Sequence, residues 1–110
     1  MRSSITVQRH QARTVVRLVG EIDASLRKEA SRALAELLTR RTAVLVDLGQ
    51  VRFIDSTGIA FLLQCQHACQ EVGLELSLHD LPDQAARTLD TLGLLDYLPV
   101  EDRLRADELR

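Results

Sequence analysis

The run Asp55-Ser56-Thr57-Gly58 sets a carboxylate, two hydroxyls and a glycine side by side. An oxygen at a helix start can accept a hydrogen bond from an amide that has no intrahelical partner, so a helix cap is the plainest use of Ser56. Nucleophilic catalysis is the alternative, and it fails on its own requirements. A nucleophile elbow needs glycine two positions before the serine, where this chain has Ile54, and it needs a histidine base. Of the three histidines, His10 falls in a turn, His67 in mid-helix and His79 at a strand end. No phosphate-binding glycine loop and no H-E-x-x-H spacing occurs, so neither a cofactor nor a metal is expected and the chain does not read as an enzyme. Cys65 and Cys69 lie four apart on one helix face, in a stripe with Leu62 and Val72. Two thiols are too few for a structural zinc, and the spacing predicts that they pack in the core.

Composition narrows the class further. The chain has 110 residues, 45% of them hydrophobic and 27% charged, which suits one domain, residues 1–110, with a real core. Formal net charge is −2, and no run of basic residues exceeds a pair such as Arg40-Arg41, so the basic stripe that nucleic acid requires is missing. Phe53, Phe61 and Tyr97 are the only aromatics, too few for a base-stacking platform. The longest apolar run, Ile59 to Leu63, falls far short of the ~20 residues that span a bilayer. A cytoplasmic protein that binds neither nucleic acid nor membrane is the expectation.

The elements that must position Ser56 follow from periodicity. Ile5 to Gln8 alternates, Arg9 to Arg13 is a polar turn, and Thr14 to Gly20 is β-branched and apolar, which predicts an antiparallel strand pair. Asp23 or Ser25 then caps an amphipathic helix carrying Leu26, Ala30, Ala33, Leu34, Leu37 and Leu38. Ala43 to Leu48 reads as a buried parallel strand. Gly49 to Asp55 reads as a connection, anchored to the core by Val51, Phe53 and Ile54. A helix runs from Ser56 to near Gly73, a strand from Leu74 to His79, and a third helix from Asp83 to Leu92. Tyr97 to Val100 suggests a short edge strand and Glu101 to Arg110 a fourth, polar helix. The sum is an α/β fold, a mixed sheet of four to five strands with about four helices. Loops leaving the second and third strands share the carboxyl edge of that sheet, so Asp23 and Ser56 should be neighbours although 33 residues apart.

Three segments resemble the STAS domain, in particular the small single-domain anti-sigma factor antagonists of bacteria. Val19-Gly20-Glu21-Ile22-Asp23 is similar to the family's turn after the second strand. Val44 to Leu48 followed by Phe53-Ile54-Asp55-Ser56-Thr57-Gly58-Ile59 is similar to its signature strand and phosphorylation loop. Leu89 to Leu98 resembles its third helix and Leu-Gly-Leu turn, so the likeness runs from about residue 5 to about residue 109. The resemblance implies a STAS-like fold and a partner switch. The unmodified protein binds an anti-sigma factor that is also a serine kinase of the GHKL type. Phosphorylation of Ser56 releases it, and a metal-dependent serine phosphatase resets it. Gly20, Glu21, Asp23, Asp55, Thr57, Gly58 and Ile59 would then form the partner face, and Thr57 is a second hydroxyl beside the acceptor.

Two readings stay open beside this one. Similar STAS domains serve as accessory subunits of lipid-transport ABC complexes, although the intact serine favours the switch. A nucleotide-binding module has no glycine-rich cradle to support it. The stripe Ile59, Leu63 and Gln66 either packs against a partner or widens the core face.

Overall fold

The computed structural model describes residues 2–101. Strand β1 (Ser4–His10) turns back into β2 (Arg13–Ile22) through Gln11 and Ala12. Gln11 takes φ 57°, the positive angle that strand twist demands of so tight a hairpin. After a 3-10 turn at Ala24–Leu26 come helix α1 (Arg27–Arg40), strand β3 (Ala43–Ile54), helix α2 (Ser56–Glu71), strand β4 (Leu76–His79) and helix α3 (Asp83–Thr91), with a second 3-10 turn at Leu95–Tyr97. The four strands lie in the order β1-β2-β3-β4, with β1 antiparallel to β2 and the other pairs parallel.

The sheet buries one face. Val16, Leu18 and Ile22 of β2, Val44, Val46, Leu48 and Ile54 of β3, and Leu78 of β4 join a single core with Leu37 of α1, Leu62, Cys65 and Cys69 of α2, and Ala85 and Leu89 of α3. Val15, Val19 and Leu45 point to the opposite face and are no part of that cluster. On that open face Arg17 Nε donates to Asp47 Oδ2 at 3.0 Å. Burial alone would raise the Asp47 carboxyl, but the Gly49 amide and Arg17 together hold it below its ordinary value. Helices α2 and α3 both end in Schellman turns, Leu74 N to Cys69 O and Leu94 N to Leu89 O, each 2.8 Å.

Four expectations change. The segment Gly49 to Ile54 is not a connection but the second half of β3, pairing with β2 across two bulges. Each bulge adds one residue to β3, so the pairs Val16↔Val46 and Ile22↔Ile54 both keep their side chains inward. The alternation that buries Ile54 turns Phe53 outward, and Phe53 is 47% exposed instead of anchoring to the core. Val72 leaves the cysteine stripe because it is the C-cap of α2, at φ −108°, and is 41% exposed. Tyr97 belongs to a 3-10 turn, and the expected fifth strand shrinks to one parallel bridge, Leu78↔Val100. Among the described residues there are three α-helices; the expected fourth, Glu101 to Arg110, lies outside them except for Glu101, which is not helical.

Candidate functional site

Two strand ends meet at the carboxyl edge. Ile22 and Ile54 are parallel partners, and Asp55 N donates to Ile22 O at 3.1 Å, so the chain leaves β2 and β3 at the same level. Asp23, Thr57 and Gly58 line one small crevice together with Ile22, Leu26 and Phe61. The second loop therefore stands against the segment that carries Ser56, as the crossover topology requires.

Asp55, not Ser56, is the cap of α2. Its Oδ1 accepts from Thr57 N at 2.8 Å and from Gly58 N at 3.1 Å. The first intrahelical bond runs from Ile59 N to Asp55 O at 2.9 Å, so the one carboxylate serves two of the three amides that precede it. This frees Ser56. It is the first residue of α2, is exposed, and its hydroxyl makes no hydrogen bond among the described residues. Thr57 is half-buried beside it.

Gly58 and Ile59 face inward. A Cβ on Gly58 would overlap the Ile54 side chain and touch Ile22 Cγ2 at 3.0 Å, so only glycine lets the first turn of α2 rest on the strand ends. Ile59 is 4% exposed and sits in the core. Its side chain anchors the helix and offers nothing to an approaching surface. Leu63 packs partly against the same core, and buried Gln66 donates from Nε2 to Tyr97 O at 3.2 Å, so this stripe widens the core face.

The end of β2 that leads into the facing loop turns on Gly20, which holds φ 86° where a Cβ would meet Ser3 Oγ at 2.6 Å. Ser3 Oγ accepts from Glu21 N at 3.0 Å, which leaves the Glu21 carboxylate exposed. Asp23 caps the 3-10 turn, and the hydroxyl of Ser25, then its amide, holds the carboxyl of Asp23 below the ordinary carboxylate range. Glu21 near the end of β2, Asp23 on the loop after it and Asp55 on the loop after β3 thus bring three acidic residues to the sheet edge from which Ser56 projects.

Catalytic partners do not gather here. No histidine lines the crevice, and His67 pairs with Glu71 at 3.1 Å on the exposed side of α2. No group of three metal-ligating side chains occurs among the described residues. Cys65 and Cys69 are fully buried; burial pushes the Cys65 thiol strongly up, helped by Cys69, and burial alone raises Cys69, so both are held as inert thiols.

The sequence reading missed two residues. Phe53 presents an exposed ring one position before Ile54, legible only once the strand is known to continue. Gln84, on α3, donates from Nε2 to Ile54 O at 3.0 Å and accepts from Ile54 N at 3.3 Å. Nothing in its local sequence announces that contact.

Comparison with known proteins agrees with this architecture. The profile of the family described as "Mlab, STAS domain" matches residues 5–100. An anti-sigma F factor antagonist of Paenibacillus polymyxa is 27% identical over 104 residues, covering 93% of this chain and 89% of the relative. An anti-sigma-B factor antagonist of Listeria monocytogenes is 29% identical over 86 residues, 77% of this chain and 75% of the relative. Among solved structures, an anti-sigma factor antagonist from Mycobacterium paratuberculosis superposes with a TM-score of 0.76 at 21% identity, covering 96% of this chain and 90% of that one. No helix among the described residues is long and apolar enough to cross a membrane.

Proposed function

The chain belongs to the STAS domain family, and from that premise we propose that it is an anti-sigma factor antagonist, a partner-switching module controlled by phosphorylation of Ser56. One observation carries the reading: the Ser56 hydroxyl is exposed and unbonded at the start of α2 while Asp55 does the capping. A serine kept for helix stability would spend its oxygen on the amides beside it. This one leaves its oxygen to solvent, in reach of another protein's active site.

In this reading the unmodified loop pair docks on an anti-sigma factor that is itself a GHKL-type serine kinase. Glu21, Asp23, Asp55 and Thr57 supply the contacts, and Gly20, Gly58 and Ile59 supply the backbone course that presents them. In the kinase site Ser56 Oγ attacks the γ-phosphorus of ATP; the bond from that phosphorus to the β,γ-bridging oxygen breaks, ADP leaves, and the serine proton is released as the O–P bond forms. The product adds about −1.5 to −2 charges at pH 7. Those charges land among Glu21, Asp23 and Asp55, so a surface fitted to a neutral hydroxyl meets bulk and a charge that it must desolvate. A metal-dependent serine phosphatase restores the hydroxyl. The protein acts in the cytoplasm as one domain over residues 1–110, as a binding module rather than an enzyme, with no cofactor, nucleic acid or membrane involved.

The test mixes purified protein with a candidate GHKL kinase and ATP and maps the modification by mass spectrometry. Phosphate on Ser56 in the wild type, none on Ser56→Ala, and retained kinase binding by that variant are expected. Normal phosphorylation of Ser56→Ala would sink the assignment. Stable capture of an ABC ATPase, with no kinase engaging the loops, would transfer the domain to the transport class.

A further inference from the structure

The geometry points to Gln84 as a positioning residue for the serine loop, a side chain that stands in for a missing strand. Strand β4 pairs with β3 only from Val44↔Leu76 to Asp47↔His79. Beyond that point β3 continues through Ile54 with β2 on one side and no strand on the other. An unpaired β3 edge would leave the amide and carbonyl of Ile54 without partners on the flank facing α3, directly before the residues that carry the switch. The carboxamide of Gln84 fills that place. Its Oε1 accepts from Ile54 N and its Nε2 donates to Ile54 O, the pair of bonds that a single residue of an antiparallel neighbour would make.

The clamp completes a fixed frame around the loop. On the β2 side, Asp55 N is held by Ile22 O; beneath, the Ile54 side chain is fully buried against Gly58 in the first turn of α2. On the α3 side, Gln84 performs the corresponding task, with one bond to each backbone group of Ile54. Its own position is set by Pro82, which starts α3 in extended geometry at φ −62°, and by Ala85 and Leu89, which seat the helix in the core. Asp55 and Ser56 are one and two residues beyond the clamp, so the aim of the cap and of the hydroxyl depends on how firmly Ile54 is held. Gln84 touches neither reacting atom; it acts through the backbone. This role rests on Ser56 being the acceptor, but the clamp itself is open to measurement in the free protein.

The experiment compares wild type, Gln84→Leu and Gln84→Glu by amide hydrogen exchange and backbone NMR, with thermal melting as the control for global stability. Leucine removes both bonds at similar volume. Glutamate keeps the acceptor for Ile54 N and loses the donor for Ile54 O. Loss of one such bond should speed exchange of the Ile54 amide by roughly five- to tenfold in Gln84→Leu. Gln84→Glu should retain part of that protection. Resonance shifts should concentrate on Ile54 to Gly58 and leave Val46, Leu62 and Leu89 in place. Unchanged Ile54 exchange, or changes spread evenly over the core, would overturn the clamp. If the loop loosens as expected, phosphorylation of Gln84→Leu by the kinase that modifies Ser56 should show a higher KM or a lower kcat than wild type. Kinetics identical to wild type with a loosened loop would also overturn the positioning role. Failure of any kinase to modify wild-type Ser56 would strike the functional reading and leave the NMR result standing.

Discussion

Replacing Asp55 by alanine separates the cap from the serine. In the folded protein the Asp55 carboxylate accepts from two amides, at 2.8 and 3.1 Å, and nothing else serves them within the helix. Loss of a cap of this type costs ~0.5–2 kcal/mol. The upper half of that range applies here. Gly58 is buried under Ile54 and Ile22, so water replaces the lost acceptor poorly at its amide. A loss of ~1–2 kcal/mol lowers the melting temperature by about 5–15 °C in a domain near 100 residues. Asp55→Asn keeps a good capping oxygen and should lose less than half as much. Ser56→Ala removes a hydroxyl that bonds nothing and should stay within about ±0.5 kcal/mol. The double variant should be additive within ~0.5 kcal/mol, because the two side chains share no bond. Urea unfolding of the wild type and the four variants at pH 7 supplies the values. A Ser56→Ala loss as large as that of Asp55→Ala would mean that the serine is the cap and its hydroxyl is not a free acceptor.

Phosphorylation of Ser56 should leave the fold intact, since a phosphate at a helix N-terminus is favoured by the first-turn amides and the helix dipole. Circular dichroism and melting should barely change, while partner affinity falls more than a hundredfold, about 3 kcal/mol; global unfolding on modification would refute interface control. Gly58→Ala should destabilise by ~1–3 kcal/mol, since its Cβ has no space against Ile54; an unchanged melting point would contradict the packing. Asp47 has a folded pKa below its unfolded value of about 3.9, so the stability it contributes is full above that pH and is lost as pH falls through the folded value. Arg17→Met should weaken that acid-limb loss, by less than ~1 kcal/mol because the pair is partly exposed; urea midpoints from pH 2 to 6 that superpose with wild type would show that Arg17 does not hold Asp47.

Local pattern alone determined a good deal of this protein. Alternation in residues 5–8 announced β1, the β-branched and apolar run 14–20 announced β2, the apolar run Val44 to Leu48 announced the centre of β3, and helical spacing placed Cys65 and Cys69 in the core. The topology that follows from alternating strands and helices already set the loops of Asp23 and Ser56 at one sheet edge. These signals depend on a residue and its neighbours a few positions away, which is why sequence carries them. Tertiary structure decided the rest. The second half of β3 exists because β2 lies beside it, with two bulges absorbing a mismatch that a single strand does not reveal. Phe53 is outside and Val72 exposed because strand continuation and helix termination, each set by distant packing, changed their faces. The division of labour between Asp55 and Ser56 rests on a one-residue helix boundary, within the margin by which helix ends are defined. The carboxamide of Gln84 meets Ile54 across thirty residues of sequence, and a hydrogen bond between elements brought together only by folding leaves no periodicity behind.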